Sequence, residues 1–263
     1  MKKLTAVLAL CATSLLAACN KSDEPAKTAA QPAAPTKVVV GLDDNFPPMG
    51  FRDEKNELVG FDIDLAREAA KRLGMQVEFK PIDWSAKEAE LSSKRVDALW
   101  NGLTITEERK KNIAFTAPYM ENHQIIIVAA NSAIQAKTDL ANHVVGAQEG
   151  SSAVDAIKKE ANIADALKAL RTYGDNVTAL VDLSAGRLDA VVVDEVVGRY
   201  LVAKRPTEYR VLDDNFGVES YGVGVRKDDA ALLQKLDGTL ADMKRDGTAG
   251  RIASQWFGAD IIK

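Results

Sequence analysis

The chain contains 263 residues, of which 46% are hydrophobic and 27% are charged, and its formal net charge at pH 7 is −4. Lysine and arginine are scattered along this acidic chain, which argues against nucleic acid as a partner. The chain has two histidines and two cysteines, both cysteines near the N-terminus. This composition argues against a zinc or redox site, so we predict no metal and no cofactor.

The N-terminal residues have the pattern of an export signal. Lys2 and Lys3 precede an apolar run at 4–18 that is too short to span a bilayer as a permanent helix. The run ends in LAAC at 16–19, which resembles the lipobox of bacterial lipoproteins, where cleavage precedes a cysteine that is then acylated. We predict a signal peptide at 1–18 and a lipidated Cys19, with an ordinary secretory signal as the alternative.

Residues 20–36 lack apolar periodicity and are rich in alanine, proline and charge, which predicts a flexible tether as far as residue 36. Cys11 would leave with the signal peptide and Cys19 would carry lipid, so the mature protein is expected to have no disulfide. The rest of the chain is long enough to bury one or two hydrophobic cores.

From residue 37 onward, strand and helix patterns alternate. Helices are predicted at 61–73, 87–94, 152–160 and 176–185, with a further helix start at 138–140. Strands are predicted at 38–42, 76–81, 96–100, 124–129, 144–148 and 188–193, and 167–173 leads into the helix at 176. This alternation predicts an α/β fold with largely parallel sheets.

The segment 101–119 contains an arginine in an unusual place. Thr104 and Glu107 have the spacing of a capping box, which predicts that a helix begins there. Acidic residues suit the first turn of a helix, whereas Arg109 suits it only if an anion lies nearby. Free N–H groups, threonine hydroxyls and a guanidinium together could bind a carboxylate. A surface pair between Arg109 and a neighbouring glutamate explains the segment equally well.

An internal repeat indicates two lobes built on one plan. Arg-x-Asp-Ala occurs at 95–98 and again at 187–190, each time where a helix passes into a strand. Ligands of open α/β sheets bind at the carboxyl ends of strands. Asp194 ends the second of these strands, after an apolar run where a buried charge is costly. It either caps a helix that begins near Val196 or pairs with a ligand cation, and with Arg109 it could bind a zwitterion.

Three segments together resemble a known family. They are LVGFDIDLA at 58–66, ITEER at 105–109, and the tail from DGT at 246–248 to QWFG at 255–258. They resemble the polar amino acid-binding proteins of ABC importers, the family 3 extracytoplasmic solute-binding proteins, and the resemblance covers roughly residues 37–258.

This resemblance implies two Rossmann-like α/β lobes joined by a two-segment hinge, the type II arrangement of periplasmic binding proteins. The first lobe would comprise 37–119 plus 222–263, and the second would comprise 124–217. The hinges would lie near 119–123 and 218–221.

The resemblance also implies how a ligand would be held. Arg109 would clamp the α-carboxylate with help from the Thr104 hydroxyl and the Gly102 backbone, and Asp194 would pair with the α-ammonium. The remaining implied ligand-binding positions, some polar and some aromatic, are Ser151, Phe46, Trp84, Asp43, Gln148 and Asn101. Phe46 could instead staple a loop, and Trp84 could be a core aromatic.

The predicted function is that of a lipid-anchored receptor in the periplasm or at the cell surface. It would capture a free polar amino acid, similar to arginine or glutamine, with cystine as an open alternative, and deliver it to a membrane permease and its ATPase. A monomer without enzymatic activity is expected. The alternatives are an enzyme of the cyclohexadienyl dehydratase type on the same fold, and a ligand-binding sensor lipoprotein.

Overall fold

The computed structural model describes residues 36–263. The predicted signal peptide, Cys19 and the tether through residue 35 lie outside the described residues. The described strands are β1 (Lys37–Leu42), β2 (Asn45–Phe46), β3 (Gly50–Arg52), β4 (Leu58–Val59), β5 (Gln76–Pro81), β6 (Ala98–Leu99), β7 (Ile113–Phe115), β8 (Met120–Ala129), β9 (Val144–Gln148), β10 (Ala169–Tyr173), β11 (Ala190–Asp194), β12 (Tyr209–Tyr221) and β13 (Gly224–Arg226). The described α-helices are α1 (Phe61–Arg72), α2 (Lys87–Ser92), α3 (Glu107–Lys110), α4 (Ser152–Lys159), α5 (Ala161–Ala164), α6 (Asn176–Ser184), α7 (Glu195–Lys204), α8 (Ala230–Arg245) and α9 (Thr248–Phe257).

Two five-stranded sheets organise the fold, and each forms the centre of one lobe. The first sheet has the strand order β5-β1-β6-β13-β7, and the second has the order β10-β9-β11-β8-β12. In each sheet the first three strands are parallel, and the other two run antiparallel to their neighbours. The predicted two-lobed α/β fold is confirmed, but the sheets are mixed rather than largely parallel. A small antiparallel sheet, β2-β3-β4, belongs to the first half of the chain.

The repeated Arg-x-Asp-Ala motif has the same structural role in both sheets. The Asp97 carboxylate accepts a hydrogen bond from the Val39 N–H at 2.9 Å, and the Asp189 carboxylate accepts one from the Val144 N–H at 2.7 Å. In each case the aspartate fixes the start of a short inner strand against the first residues of its parallel neighbour. The two lobes therefore share one local design, as the repeat predicts.

The two lobes are connected by neighbouring strands. β8 begins directly after the first lobe's β7 region, and β12 leads back into the first sheet through β13. β8 and β12 pair antiparallel, with Met120 opposite Tyr221 and Asn122 opposite Glu219. The two predicted hinge segments thus lie side by side, although the exact lobe and hinge boundaries stay predictions.

The predicted N-cap of the helix that contains Arg109, Thr104, lies two residues before the observed one. α3 begins at Glu107, and its N-cap is Thr106, whose side chain accepts from the Arg109 N–H at 3.1 Å. Thr104 instead forms an isolated β-bridge with Tyr221. Thr104 is therefore held in extended backbone against the second connecting strand, which leaves its side chain available at the interface between the lobes.

The described residues form one compact unit with hydrophobic cores in both lobes. None of the helices between residue 36 and residue 263 is long and apolar enough to cross a membrane. Because the sheets, their covering helices and the cores all lie within these residues, we use the segment 36–263 as the folding unit in the experiments below.

A buried carboxylate ties the start of α1 to the connection between the lobes. Asp62 is fully buried, and its Oδ2 accepts from the Gly102 N–H at 2.7 Å and from the Tyr119 hydroxyl at 2.9 Å. Burial raises the pKa of Asp62 to about 7, against the opposing effect of these two hydrogen bonds. The folded protein therefore keeps the Asp62 carboxyl protonated at pH values where the unfolded chain has released this proton.

We expect Asp62→Asn to flatten the dependence of stability on pH. Between pH 5 and pH 8 the wild-type free energy of unfolding should fall by about 2–3 kcal/mol more than that of the variant, because only the wild type must ionise a buried acid. Urea denaturation of both proteins at the two pH values measures this difference. Asp228→Asn, which alters an exposed acid of the same lobe, should behave like the wild type. If the free energy of unfolding changes equally between the two pH values in all three proteins, the raised pKa assigned to Asp62 is wrong.

Candidate functional site

Arg109 lies in α3 and reaches from the first lobe to the second. It is only 6% exposed. Its Nη1 donates to the Thr104 carbonyl at 2.9 Å, and its Nη2 donates to the Gly150 carbonyl of the second lobe at 3.0 Å. Burial lowers its pKa from the ordinary value, but a guanidinium stays charged in proteins. Both described hydrogen bonds go to neutral carbonyls, so the positive charge is available for an anion.

Asp194 ends β11 and is almost completely buried. Its Oδ1 accepts three hydrogen bonds, from Asn122 Nδ2 at 2.7 Å, Gln124 Nε2 at 3.0 Å and the Tyr221 hydroxyl at 2.7 Å. Its side chain does not cap α7, which begins at the next residue. Burial raises the pKa of Asp194 to about 7, and the nearby charge of Glu219 adds to that effect.

Glu219 is a third charged group of the cleft and the sequence did not predict it. It lies on β12, and its Oε2 accepts from the Thr104 hydroxyl at 2.9 Å, from Gln124 Nε2 at 3.0 Å and from the Ser152 hydroxyl at 3.0 Å. Thr104 belongs to the first lobe, whereas Gln124 and Ser152 belong to the second. Among the charges that stabilise the protonated form of Arg109, that of Glu219 contributes most.

The two serines at the start of α4 make different contacts. The Ser151 hydroxyl donates back to the Gln148 carbonyl at 2.8 Å and so closes its own turn. The Ser152 hydroxyl lies 3.0 Å from the Thr104 hydroxyl of the other lobe. Ser152 is therefore the serine that faces Thr104, one residue beyond the predicted Ser151, which is the N-cap of α4.

Asp43 and Gln148 form a second polar contact between the lobes. Gln148 Nε2 donates to Asp43 Oδ2 at 2.7 Å and to the Gly174 carbonyl at 3.0 Å, and its Oε1 accepts from Asn176 Nδ2 at 3.2 Å. The Asn101 side chain accepts from the Asp43 N–H at 3.1 Å. Burial raises the pKa of Asp43 to about 6. Three predicted residues thus meet in one buried hydrogen-bonded group.

The predicted aromatic residues lie in the first lobe. Phe46 is 5% exposed and lies so close to Gly102 that a Cβ at Gly102 would come within 2.9 Å of its ring. Trp84 is equally buried and packs in a core cluster with Leu91, Val96, Leu99, Leu103 and Ile113. This packing matches the core alternative for Trp84, although the residue also borders the cleft through its neighbour Lys87.

Lys87 is a buried cation that the sequence did not single out. Its ammonium donates to the Gly150 carbonyl at 2.7 Å and to the Trp84 carbonyl at 3.2 Å, and it lies 5.3 Å from the centre of the Trp84 ring. Burial, together with the neighbouring Arg109 charge, lowers the pKa of Lys87 to about 7. Two cations of the first lobe therefore share one carbonyl of the second.

The structure brings the predicted residues to one interface. Arg109, Thr104 and Asp43 contact the second lobe directly, and Asp194 lies near them at the end of β11. The polar groups at this interface that sequence reasoning missed lie on the connecting strands and at the start of α4: Asn122, Gln124, Ser152, Glu219 and Tyr221. On β8 the residues at 121–124 are all polar, and only the structure shows that Asn122 and Gln124 face inward at alternate positions.

The imidazoles do not assemble a metal site. His123 contacts Glu195 at 2.8 Å and His143 contacts Asp189 at 3.3 Å. Over the described part of the chain, no three His, Cys, Asp or Glu side chains are grouped so that they could hold a metal ion.

Comparison with known proteins gives consistent matches over nearly the whole described chain. The sequence model of the bacterial extracellular solute-binding proteins, family 3, matches residues 38–259. The L-cystine-binding protein TcyJ of Escherichia coli (strain K12) is 34% identical over 228 residues, which cover 86% of this chain and 84% of the relative.

Solved structures show the same similarity. A histidine-bound substrate-binding protein of an ABC uptake transporter from Streptococcus pneumoniae superposes with a TM-score of 0.83 at 33% identity, covering 86% of this chain and 94% of the other. An ancestral arginine-binding protein bound to arginine has a TM-score of 0.80 at 42% identity, covering 84% and 98%. These structural neighbours are type II periplasmic amino acid-binding proteins, and they are binding proteins rather than enzymes.

We expect Tyr221→Phe to destabilise the protein by about 1.5–3 kcal/mol at pH 8, because a hydrogen bond to the charged form of Asp194 is lost. The loss should be smaller at pH 5, where Asp194 is protonated. The matched control is Tyr209→Phe, which removes a buried hydrogen bond to the neutral Leu180 carbonyl and should cost about 0.5–1.5 kcal/mol at both pH values. Urea denaturation measures both costs, and the same pH-independent loss in the two variants would contradict the role given to Tyr221.

Proposed function

The chain belongs to family 3 of the bacterial extracellular solute-binding proteins, and on this basis we propose that it captures a free polar amino acid by closure of its two lobes. The observation that carries the proposal is the pair of buried, oppositely charged side chains at the cleft. Arg109 comes from the first lobe and Asp194 from the second, and both are nearly inaccessible to solvent. Burying such charges is costly unless they are paired, and an amino acid zwitterion would supply a partner for each.

The hydrogen bonds of each charged group support this arrangement. A guanidinium has five N–H donors, and two of those of Arg109 are used by carbonyls. The others are free to hold the α-carboxylate. The three side-chain donors of Asp194 all reach Oδ1, so Oδ2 is the oxygen that would accept from the α-ammonium. The ammonium would also favour the ionised carboxylate and so bring down the raised pKa of Asp194.

The proposed side-chain end of the site is polar. Asp43 and Gln148 would face the ligand side chain, with Asn101 supporting Asp43 and with Phe46 and Trp84 beside them. Acidic and amide groups next to aromatic rings favour a cationic or amide side chain, such as that of arginine or glutamine. The relatives include proteins named for binding cystine, histidine and arginine, and cystine stays an alternative ligand for this chain.

Lobe closure would follow from contacts that only the closed form can make. A ligand that touches Arg109 and Asp194 at once binds the closed form better than the open form and therefore shifts the population toward it. The paired segments 119–123 and 218–221 are the proposed hinges, between a first lobe at 37–119 plus 222–263 and a second lobe at 124–217. Bending of these two neighbouring strands would open the cleft.

The proposed setting of this receptor is outside the cytoplasmic membrane. Lipidated Cys19 would anchor it to the membrane after removal of the signal peptide at 1–18, and residues 20–36 would let the folded part move. The loaded monomer would deliver its ligand to a membrane permease with its ATPase. The family relatives, which are components of ABC importers, support these partners.

Ligand capture is tested by a thermal-shift screen of residues 36–263, unfolded and refolded to remove any carried ligand. The panel contains arginine, glutamine, histidine, lysine and cystine. A ligand at about 1,000 times its Kd should stabilise the fold by about 4 kcal/mol and raise Tm by about 8 °C or more. Arg109→Lys should weaken binding about a hundredfold, because the bidentate hydrogen bonding to the carboxylate is lost while the charge is kept.

Arg226→Lys is the matched control for this screen. Arg226 is also a mostly buried arginine of the first lobe, but it bonds Asp97 and the Val96 carbonyl away from the cleft. Its replacement should change affinity by less than about twofold. If both lysine variants bind alike, Arg109 is not the carboxylate clamp. If no amino acid shifts Tm, capture of amino acids is wrong, and dehydratase activity becomes the next function to assay.

Closure itself can be tested at Gly150. This residue has φ +71°, and a Cβ there would come within 2.8 Å of the Ser85 Cα across the cleft. We expect Gly150→Ala to weaken ligand binding about tenfold or more, because the closed form acquires a steric clash of about 1.4 kcal/mol or above. The strain of the left-handed backbone should cost a further ~1–2 kcal/mol of stability in both open and closed forms.

Gly186→Ala separates these two effects. Gly186 has nearly the same φ, +70°, but a Cβ there would meet nothing within 4 Å. The Gly186→Ala variant should lose about as much stability as Gly150→Ala and should bind the ligand with the wild-type affinity. Calorimetric titration of both variants checks the prediction, and equal affinities would mean that the lobes do not close through this contact.

A further inference from the structure

Glu219 occupies the position where donors from the two lobes converge. Its Oε2 lies 2.9 Å from the Thr104 hydroxyl, 3.0 Å from the Ser152 hydroxyl and 3.0 Å from Gln124 Nε2. Glu219 itself lies on β12, in the strand that pairs with β8 between the sheets. One carboxylate oxygen therefore joins the first lobe, the second lobe and the connecting strand.

These donors cannot serve a second carboxylate at the same time. A hydroxyl has one proton to donate, and the Thr104 proton is given to Glu219. The amide nitrogen Nε2 of Gln124 has two protons to donate, and it lies 3.0 Å from both Asp194 Oδ1 and Glu219 Oε2, so both protons are engaged. A ligand α-carboxylate held by Arg109 and assisted by Thr104 would meet these donors already engaged. It would also meet a like charge, which raises the free energy of the complex.

We propose that Glu219 is an internal competitor of the ligand α-carboxylate: it holds the hydroxyl donors of both lobes and is displaced when the ligand takes them over. This inference rests on the function proposed above and adds a residue to it. Displacement requires only rotation of the Glu219 side chain, because its strand stays paired with β8. The partly exposed position of Glu219 leaves room for such rotation.

The same contacts have a consequence for the empty protein. Because Glu219 bridges Thr104 to Ser152 and Gln124, it favours the closed arrangement before any ligand arrives. The ligand then gains less from closure, since the contacts it makes replace contacts that already exist. Removal of the Glu219 carboxylate should therefore open the empty protein and tighten ligand binding.

The test uses residues 36–263, stripped of ligand by unfolding and refolding, as wild type, Glu219→Ala and Glu219→Gln. Calorimetric titration with L-arginine and with L-cystine gives the affinities, and small-angle X-ray scattering of the empty proteins gives their radii of gyration. We expect Glu219→Ala to bind the active probe about tenfold more tightly, the size of effect expected for hydrogen bonds to a charged group. Glu219→Gln should fall between Glu219→Ala and the wild type, because it loses the charge and keeps an acceptor oxygen. The empty alanine variant should have the larger radius.

Asp213→Asn is the charge-matched control, because it removes one exposed carboxylate from the same strand away from the cleft. It should match the wild type in affinity and radius. Weaker binding by both Glu219 variants would overturn the proposal and make Glu219 a residue that positions the donors for the ligand. Unchanged affinity and radius would overturn it as well. If even the wild type binds neither probe nor any amino acid of the screen, the proposed function fails, while the radii still decide whether Glu219 holds the empty lobes together.

Discussion

Burial of charge between the lobes is the constraint on which the rest of the structure depends. Arg109, Lys87, Asp43 and Asp194 are each less than 9% exposed, and a buried charge is tolerated only with good hydrogen-bonding partners. Arg109, Lys87 and Asp43 find such a partner on the opposite lobe. Asp194 finds its donors on the connecting strands instead. Each lobe therefore completes the hydrogen bonding of charged groups on the other.

The repeated sheet plan explains why these groups meet at all. Asp97 and Asp189 fix equivalent inner strands in the two sheets, so the carboxyl ends of both strands have the same relation to their neighbours. The chain that follows the first of these strands leads to Arg109, and Asp194 ends the second. Two copies of one α/β arrangement that face each other therefore suffice to bring these two charged residues to one interface.

The sequence predicts this fold and part of the site. Particular residues show which features cannot be predicted from it. Apolar runs and the Arg-x-Asp-Ala repeat predict the buried strands, because burial of a strand requires a local apolar pattern. Arg109 stands out as a cation near the start of a helix, and Asp194 stands out as a charge at the end of an apolar run. Ser152 and Glu219 do not stand out, since the choice between adjacent serines and the reach of a glutamate across a cleft depend on tertiary geometry. Likewise, the mixed sheets depend on long-range pairing that no local pattern shows.

The strand order of the first sheet has a consequence for the order in which the chain can fold. β13, at Gly224–Arg226, lies between β6 and β7, so an inner strand of the first lobe comes from the far end of the chain. The second sheet is contiguous, from β8 to β12. As the polypeptide emerges in sequence, the second lobe can complete its sheet first. The first lobe, although its residues appear earliest, must wait for Gly224 and the two helices beyond it, so a chain interrupted before that point has one finished lobe and no cleft.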